Sequence, residues 1–279
     1  MKTIKLSNGI DMPMLGYGVY QVTPQEAERC VMDALSVGYR MIDTAQAYNN
    51  EENVGDAILH SDIKREDIFL VSKIWISNFG YEKAKRSIDE SLKKLKTDYL
   101  DLMLLHQPFC DYYGAYRALE EAYKEGKLKA IGVSNFYPNR LIDLACNVDI
   151  KPMVNQVETH VFNQQIEAQK YMEEYDCQIM SWGPFAEGKN NFFKNPVLAK
   201  IGEKYNKSVA QVALRYLLQR NIILIPKSTH KDRMIQNMDI FDFQLNQEDI
   251  QVIKALDENK SLFFDHASAE AAKLFMSWR

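Results

Sequence analysis

Asp43, Tyr48, Lys73 and His106 are the residues of this 279-residue chain that together could move a proton. An unperturbed phenol has a pKa of ~10 and is a poor acid near neutrality. A neighbouring ammonium favours the phenolate and brings that proton closer to ease of transfer. A carboxylate would hold the ammonium in place and keep it charged. An imidazole can donate a hydrogen bond to a carbonyl oxygen at ~3 Å, polarising it as negative charge grows there. Singly, each residue has a duller reading: Asp caps a helix, Tyr packs, His is a hydrogen-bonded bystander. Together they deliver a proton to an oxygen, and they still lack a nucleophile.

The elements that must position these side chains are legible as short apolar runs, each followed by a helix-like segment. The runs are LGYGVY (15–20), MIDT (41–44), IFLVSK (68–73), LDLMLLH (100–106), AIGVSN (130–135), MVNQVE (153–158), QIMSWG (178–183) and IILIPKS (222–228). Several are nearly continuously apolar, as expected of parallel strands covered by helices. From Tyr81, residues Ala84, Ile88, Leu92 and Leu95 make one helical stripe, with Glu82/Arg86, Asp89/Lys93 and Glu90/Lys94 spaced as i,i+4 pairs. Ser208 and Gln211 are spaced as a capping box that opens a helix through Leu217. Asn8-Gly9 between alternating runs predicts an N-terminal β-hairpin.

Eight strands alternating with helices predict a (β/α)8 barrel over residues 1–279, one domain whose bottom the hairpin closes. One polar or special residue ends each run: Gly18, Asp43, Lys73, His106, Ser134, Gln156, Trp182 and Lys227. Successive intervals run from 22 to 33 residues, except a last one of 45 that leaves room for an extra helix. Barrel enzymes carry their chemistry at that end of the strands, so these positions should ring one mouth.

Composition narrows the class further. Lys and Arg number 34 against 38 Asp and Glu, a net charge of −4, so no broad basic surface for nucleic acid or anionic lipid is expected. No apolar run approaches the ~18 residues of a membrane span, and the opening MKTIKLSNGIDM alternates unlike a secretory leader. Cys30, Cys110, Cys146 and Cys177 form no CxxC pair and read as reduced, buried thiols of a cytoplasmic protein. Gly16-Tyr17-Gly18 lacks the third glycine of GxGxxG, and no GxSxG, HExxH or P-loop occurs. The five His are too dispersed to suggest a metal cluster, and His160 reads as structural.

The motifs LGYGVY, RMIDTAQAYNNEENVG, VSKIW, LLHQP, GVSNF, VNQVETH, SWGPFAEG and IPKSTHKDRMIQN, in this order, resemble those of the aldo-keto reductases over nearly the whole chain. The short length and SWGPFAEG are most similar to the bacterial diketogluconate and glyoxal reductase branch. The resemblance implies the missing nucleophile: hydride from reduced nicotinamide, with Asp43, Tyr48, Lys73 and His106 on the family's catalytic positions. It implies NADPH as cofactor and an aldehyde or ketone, dicarbonyls and keto-sugars included, as substrate. Gly18 and Val19 fall near the cofactor; Val19 replaces a frequent Thr. Ser134, Asn135 and Gln156 match the carboxamide contacts, Trp182 the ring that stacks on nicotinamide, and Gly183, Pro184, Phe185 and Glu187 the pyrophosphate segment. Lys227, Ser228, Thr229 and Arg233 match the 2′-phosphate site, which two cations and a hydroxyl suit. Gln236 and Asn237 match the adenine contacts.

Tyr20, Trp75, His106 and Gln107 match the substrate pocket, where Gln107 replaces a frequent Trp. The segment around Phe264, Asp265 and His266 is expected to fold over the mouth. A monomer is the family's usual state. Two other readings predict different chemistry. Lys73 on a barrel strand could form a Schiff base, as in a lysine-dependent aldolase. Alternatively, the chain could bind NADPH without turnover and report redox state to a partner.

Overall fold

The computed structural model describes residues 2–279. Strands β1 (Thr3–Lys5) and β2 (Asp11–Pro13) pair antiparallel with Thr3 opposite Pro13, giving the expected hairpin. Its turn places Gly9 at φ +88°, a left-handed conformation that favours glycine. Asn8 Nδ2 donates to the Lys129 carbonyl at 2.9 Å, just ahead of a barrel strand, so the hairpin lies across the N-terminal end of the barrel.

The eight predicted runs all become strands, shorter than their apolar patterns. They are β3 (Tyr17–Gly18), β4 (Met41–Asp43), β5 (Phe69–Ile74), β6 (Leu102–Leu105), β7 (Ile131–Ser134), β8 (Val154–Glu158), β9 (Gln178–Trp182) and β10 (Ile223–Leu224). Each lies parallel to its predecessor in chain order. A parallel bridge between Leu15 and Leu224, with Gly16 N–H donating to Leu224 O at 2.8 Å, joins the first strand to the last. The sheet therefore closes into a (β/α)8 barrel without a free edge.

Outside it lie α1 (Pro24–Val37), α2 (Glu51–His60), α3 (Tyr81–Lys94), α4 (Tyr112–Lys124), α5 (Pro138–Ala145) and α6 (Ile166–Glu174). They are followed by α7 (Pro196–Tyr205), α8 (Val209–Gln219), α9 (Lys231–Met238), α10 (Gln247–Lys254) and α11 (Ala269–Ser277). The long last interval holds a run of tight turns at Ala186–Lys194 and α7 before α8. The capping box at Ser208 and Gln211 is formed. On α3 the stripe Ala84, Ile88, Leu92 and Leu95 is buried as expected, but none of the three i,i+4 ion pairs forms. Instead Asp89 meets Lys127 at 2.8 Å and Lys94 turns toward Glu51 at 4.0 Å, because packed neighbours offer partners that an isolated helix lacks. Cys30 and Cys177 are buried, whereas Cys110 is half-buried and Cys146 exposed, correcting the expectation of four buried thiols. No helix among the described residues is long and apolar enough to cross a membrane.

Glycine at 132 sets how closely two mouth-bearing strands approach. A Cβ there would sit 2.3 Å from the Val154 carbonyl oxygen and 2.9 Å from Leu104 Cδ2. Backbone cannot yield as a side-chain tip can, so Gly132→Ala should destabilise by at least about 2 kcal/mol, read as a lower urea midpoint at unchanged slope.

Candidate active site

Asp43 is the last residue of β4 and Lys73 the last but one of β5, and their side chains meet inside the barrel. Lys73 Nζ donates to Asp43 Oδ1 at 2.6 Å, to the Thr44 carbonyl at 2.8 Å and to the Tyr48 hydroxyl at 3.3 Å. Both charged residues are sealed from water, Lys73 at 0% and Asp43 at 1% exposure. Burial opposes both charges, raising the Asp43 carboxyl and lowering the Lys73 ammonium from their ordinary values, and their contact offsets it. The other Asp43 oxygen accepts from Gln156 Nε2 at 2.8 Å. With three oxygens around it, the Lys73 amine is engaged as a hydrogen-bond donor, which counts against the Schiff-base reading.

Tyr48 ends a single 3₁₀ turn, Gln46–Tyr48, in the loop after β4. Two polar side chains that sequence reasoning passed over hold this loop. Gln46 donates to the Ser87 carbonyl at 3.2 Å and to Ser91 Oγ at 3.1 Å, and accepts from the Trp75 amide at 3.0 Å. Asn50 Nδ2 donates to the carbonyls of Val19 and Val22 at 3.0 and 3.1 Å, while its Oδ1 accepts from Thr44 Oγ1 at 2.8 Å. Only their polarity in an otherwise helix-starting segment could have marked them.

The Tyr48 ring lies 5.6 Å from that of His106, edge to face, and 5.1 Å from Tyr20. Trp75 flanks His106 at 5.1 Å. Burial, then the Asp43 charge, pushes the Tyr48 phenol well above its ordinary pKa. The direction is opposite to the lowering expected from Lys73, and Tyr48 keeps its proton. Burial and the Lys73 charge push His106 well below the usual histidine value, so its ring is neutral. Its Nδ1 is buried without a partner. A bare lone pair is tolerated there better than an N–H, which leaves the proton on Nε2.

Around this centre, Ser134 Oγ donates to the Gln156 carbonyl at 2.8 Å, and Asn135 Nδ2 to the His106 carbonyl at 3.0 Å. Trp182 Nε1 donates to Asn135 Oδ1 at 2.8 Å. Asn135 thus ties the ends of β6, β7 and β9 together. Gln156 directs its amide N–H groups to Asp43 and the Met180 sulfur, and its Oε1 makes no hydrogen bond among the described residues. Gly18 and Val19 are buried beside β4, and a Cβ on Gly18 would stand 2.9 Å from the Ile225 carbonyl oxygen. Gly183, Pro184, Phe185 and Glu187 run from β9 into the turns, with Gly183 and Glu187 at positive φ.

Lys227, Thr229 and Arg233 line the segment between β10 and the first turns of α9, with Lys227 and Arg233 exposed. Neither of these two cations makes an ion pair among the described residues, whereas Lys231 nearby faces Asp33 at 3.5 Å. Ser228 is buried and bonds His230 backbone. On α9, Gln236 is exposed and Asn237 buried.

The tail reaches the mouth as expected. His266 Nε2 donates to Gln107 Oε1 at 3.0 Å, and the Tyr137 hydroxyl donates to the Phe264 carbonyl at 3.4 Å. Asp265 instead faces the start of α11, accepting from the Ala267 amide. Burial pushes His266 down to about 4. The buried Glu158 carboxylate fastens the approach to the tail, accepting from His160 Nε2, Ser261 Oγ and the Leu262 amide. His160 Nδ1 accepts two backbone N–H groups, a structural role. Trp75 Nε1 donates to the Trp278 carbonyl at 3.3 Å. Helix α11 was not foreseen, although Ser268 before Ala271 and Phe275 carried a cap and a stripe.

Residues 12–258 match the model of the aldo/keto reductase family. The chain belongs to that family. It is an oxidoreductase acting on carbonyl compounds. The chain is 47% identical over 260 residues to the glyoxal reductase of Bacillus subtilis, covering 92% of this chain and 94% of that one. It is 38% identical over 262 residues to the methylglyoxal reductase DkgA of Escherichia coli K12, covering 93% and 94%. Among solved structures, an aldo-keto reductase from a Medee basin deep-sea metagenome library superposes with a TM-score of 0.93 at 41% identity, covering 95% of this chain and 99% of that one. A Bombyx mori aldo-keto reductase in complex with NADP superposes with a TM-score of 0.89 at 32% identity, covering 98% and 96%.

Replacing Lys73 by Met strands the Asp43 carboxylate in the barrel, and removal of one member of a buried pair costs about 3–5 kcal/mol. Without its ammonium, Asp43 keeps a pKa above its unfolded value of ~3.9. The folded chain then binds more protons than the unfolded one, so stability is lost as pH rises through that window. Urea midpoints should lie well below wild type at pH 7, and the gap should narrow toward pH 4.

Proposed function

We propose that this protein is an NADPH-dependent reductase of aldehydes and ketones, small dicarbonyls among them, acting as one unit over its whole length. The observation that carries the reading is Lys73 Nζ at 3.3 Å from the Tyr48 hydroxyl while locked to Asp43 at 2.6 Å, with neutral His106 against the same ring. NADPH fits the chemistry of the donors. Unpaired Lys227 and Arg233 with Ser228 and Thr229 would hold the 2′-phosphate, a dianion that free cations suit. The unpartnered Gln156 Oε1 would accept from the carboxamide nitrogen beside Ser134 and Asn135. Trp182 would stack on the ring, Gly183–Glu187 would meet the pyrophosphate near Gly18 and Val19, and Gln236 and Asn237 the adenine.

When bound, reduced nicotinamide supplies hydride to the carbonyl carbon. Tyr48 gives its proton to the carbonyl oxygen, and Lys73 stabilises the phenolate that remains through the hydrogen bond it already makes. Asp43 keeps Lys73 in register and balances its charge. His106 donates from Nε2 to the same oxygen and orients it. Tyr20, Trp75 and Gln107 form the walls. The reading extends to a cytoplasmic monomer, the state that the resemblance implies.

With purified protein and methylglyoxal, NADPH absorbance at 340 nm should fall, and Tyr48→Phe should reduce kcat by about 10²–10⁴-fold while leaving the Kd for NADPH close to wild type. Tight NADPH binding without turnover across aldehydes and dicarbonyls would favour a redox-reporting subunit instead. Arg233→Ala should weaken NADPH at least about tenfold and NADH little, since loss of a charge-assisted bond to phosphate is worth about 1.5–3 kcal/mol.

A further inference from the structure

Resting on the reductase reading above, we propose that Gln107, held in one orientation by His266, recognises the second oxygen of a vicinal dicarbonyl substrate. Gln107 directly follows His106 off the end of β6, and both it and His266 are buried. The His266 ring is stacked on Phe275 at 5.4 Å and 22°, and on Phe109 at 6.4 Å and 23°. Tyr137 and Phe264 meet it edge to face at 5.8 and 6.2 Å. Packed on four sides, the imidazole cannot turn, and its Nε2 proton is committed to Gln107 Oε1 at 3.0 Å.

That bond decides which end of the amide remains. With Oε1 turned to His266, Gln107 directs its Nε2, a group with two N–H donors and no acceptor capacity, away from the imidazole. This nitrogen has no protein partner, and it is not among the polar atoms sealed in the interior. The oxygen undergoing reduction already meets two donors, Tyr48 and His106. A third donor, one residue along the chain, matches an oxygen on the adjacent carbon.

The charge of the pocket selects among such oxygens. Tyr20, Trp75, Phe275 and Trp278 are uncharged, and the nearby Lys73 ammonium is already balanced by Asp43, so the complement of the neutral amide is a neutral carbonyl oxygen rather than a carboxylate. A simple aldehyde leaves the amide unpaired once the pocket closes, and a site built to hydrogen-bond a group discriminates against the analogue without it.

The test compares kcat/KM for methylglyoxal with kcat/KM for propanal, which has the same carbon skeleton and one carbonyl. In Gln107→Leu the ratio should fall about tenfold or more from wild type. In His266→Phe, which keeps the aromatic stack but frees the amide to rotate, the same ratio should fall by at least about threefold. A ratio within about twofold of wild type in both variants overturns the inference while leaving the reductase reading standing. If Gln107→Leu does not fold, His266→Phe decides alone by the same criterion. Wild-type protein that oxidises NADPH with neither compound overturns the reductase reading and this inference with it.

Discussion

A lysine and an aspartate pressed together inside the barrel, at 2.6 Å and without water, impose the tightest constraint in this molecule. Neither charge is tolerable there alone, so β4 and β5 must stay in a register that keeps them in contact. The same ammonium reaches the Tyr48 hydroxyl and the Thr44 carbonyl, so one cation fixes a strand end, a loop and a proton donor. Gln156 extends the constraint across the mouth to β8 through the second Asp43 oxygen. The reactive geometry is therefore part of what holds the interior together.

Burial gives this centre its chemical character. In water, Lys73 would be expected to make Tyr48 more acidic; in the closed barrel desolvation dominates and the phenol keeps its proton. The same low-dielectric setting keeps His106 neutral, so both residues present N–H or O–H groups to one point. In the proposed reaction a substrate oxygen there would meet donors already in position, the condition under which hydrogen bonds favour a developing negative charge most strongly.

The mouth is completed by parts distant in the chain. The loop carrying Tyr48 is held by Gln46 and Asn50, which satisfy backbone groups on α3, on β5's exit and beside β3. Two of the devices that hold the tail are Glu158 at Ser261 and Leu262 and Gln107 at His266. Both devices are buried polar groups whose hydrogen bonds are made across elements. Such groups rigidify a site because an unpaired member is costly.

Read alone, the sequence determined the barrel, the order of its eight strands and the ring of residues at their ends. Those follow from local apolar runs, their spacing and the rule that barrel strands succeed one another around the ring. It also singled out Asp43, Lys73 and His106 at strand ends and Tyr48 in the loop after β4, four unlike residues that the structure gathers around one point. Tertiary structure alone decided the rest. The ion partners of α3 changed because helices pack against neighbours, the direction of the Tyr48 shift changed because enclosure outweighs a nearby charge, and the pairing of Gln107 with His266 spans 159 residues that no local pattern relates. Periodicity encodes which face of an element turns inward; it says nothing of which polar atoms meet once those faces close, or of how little water remains between them.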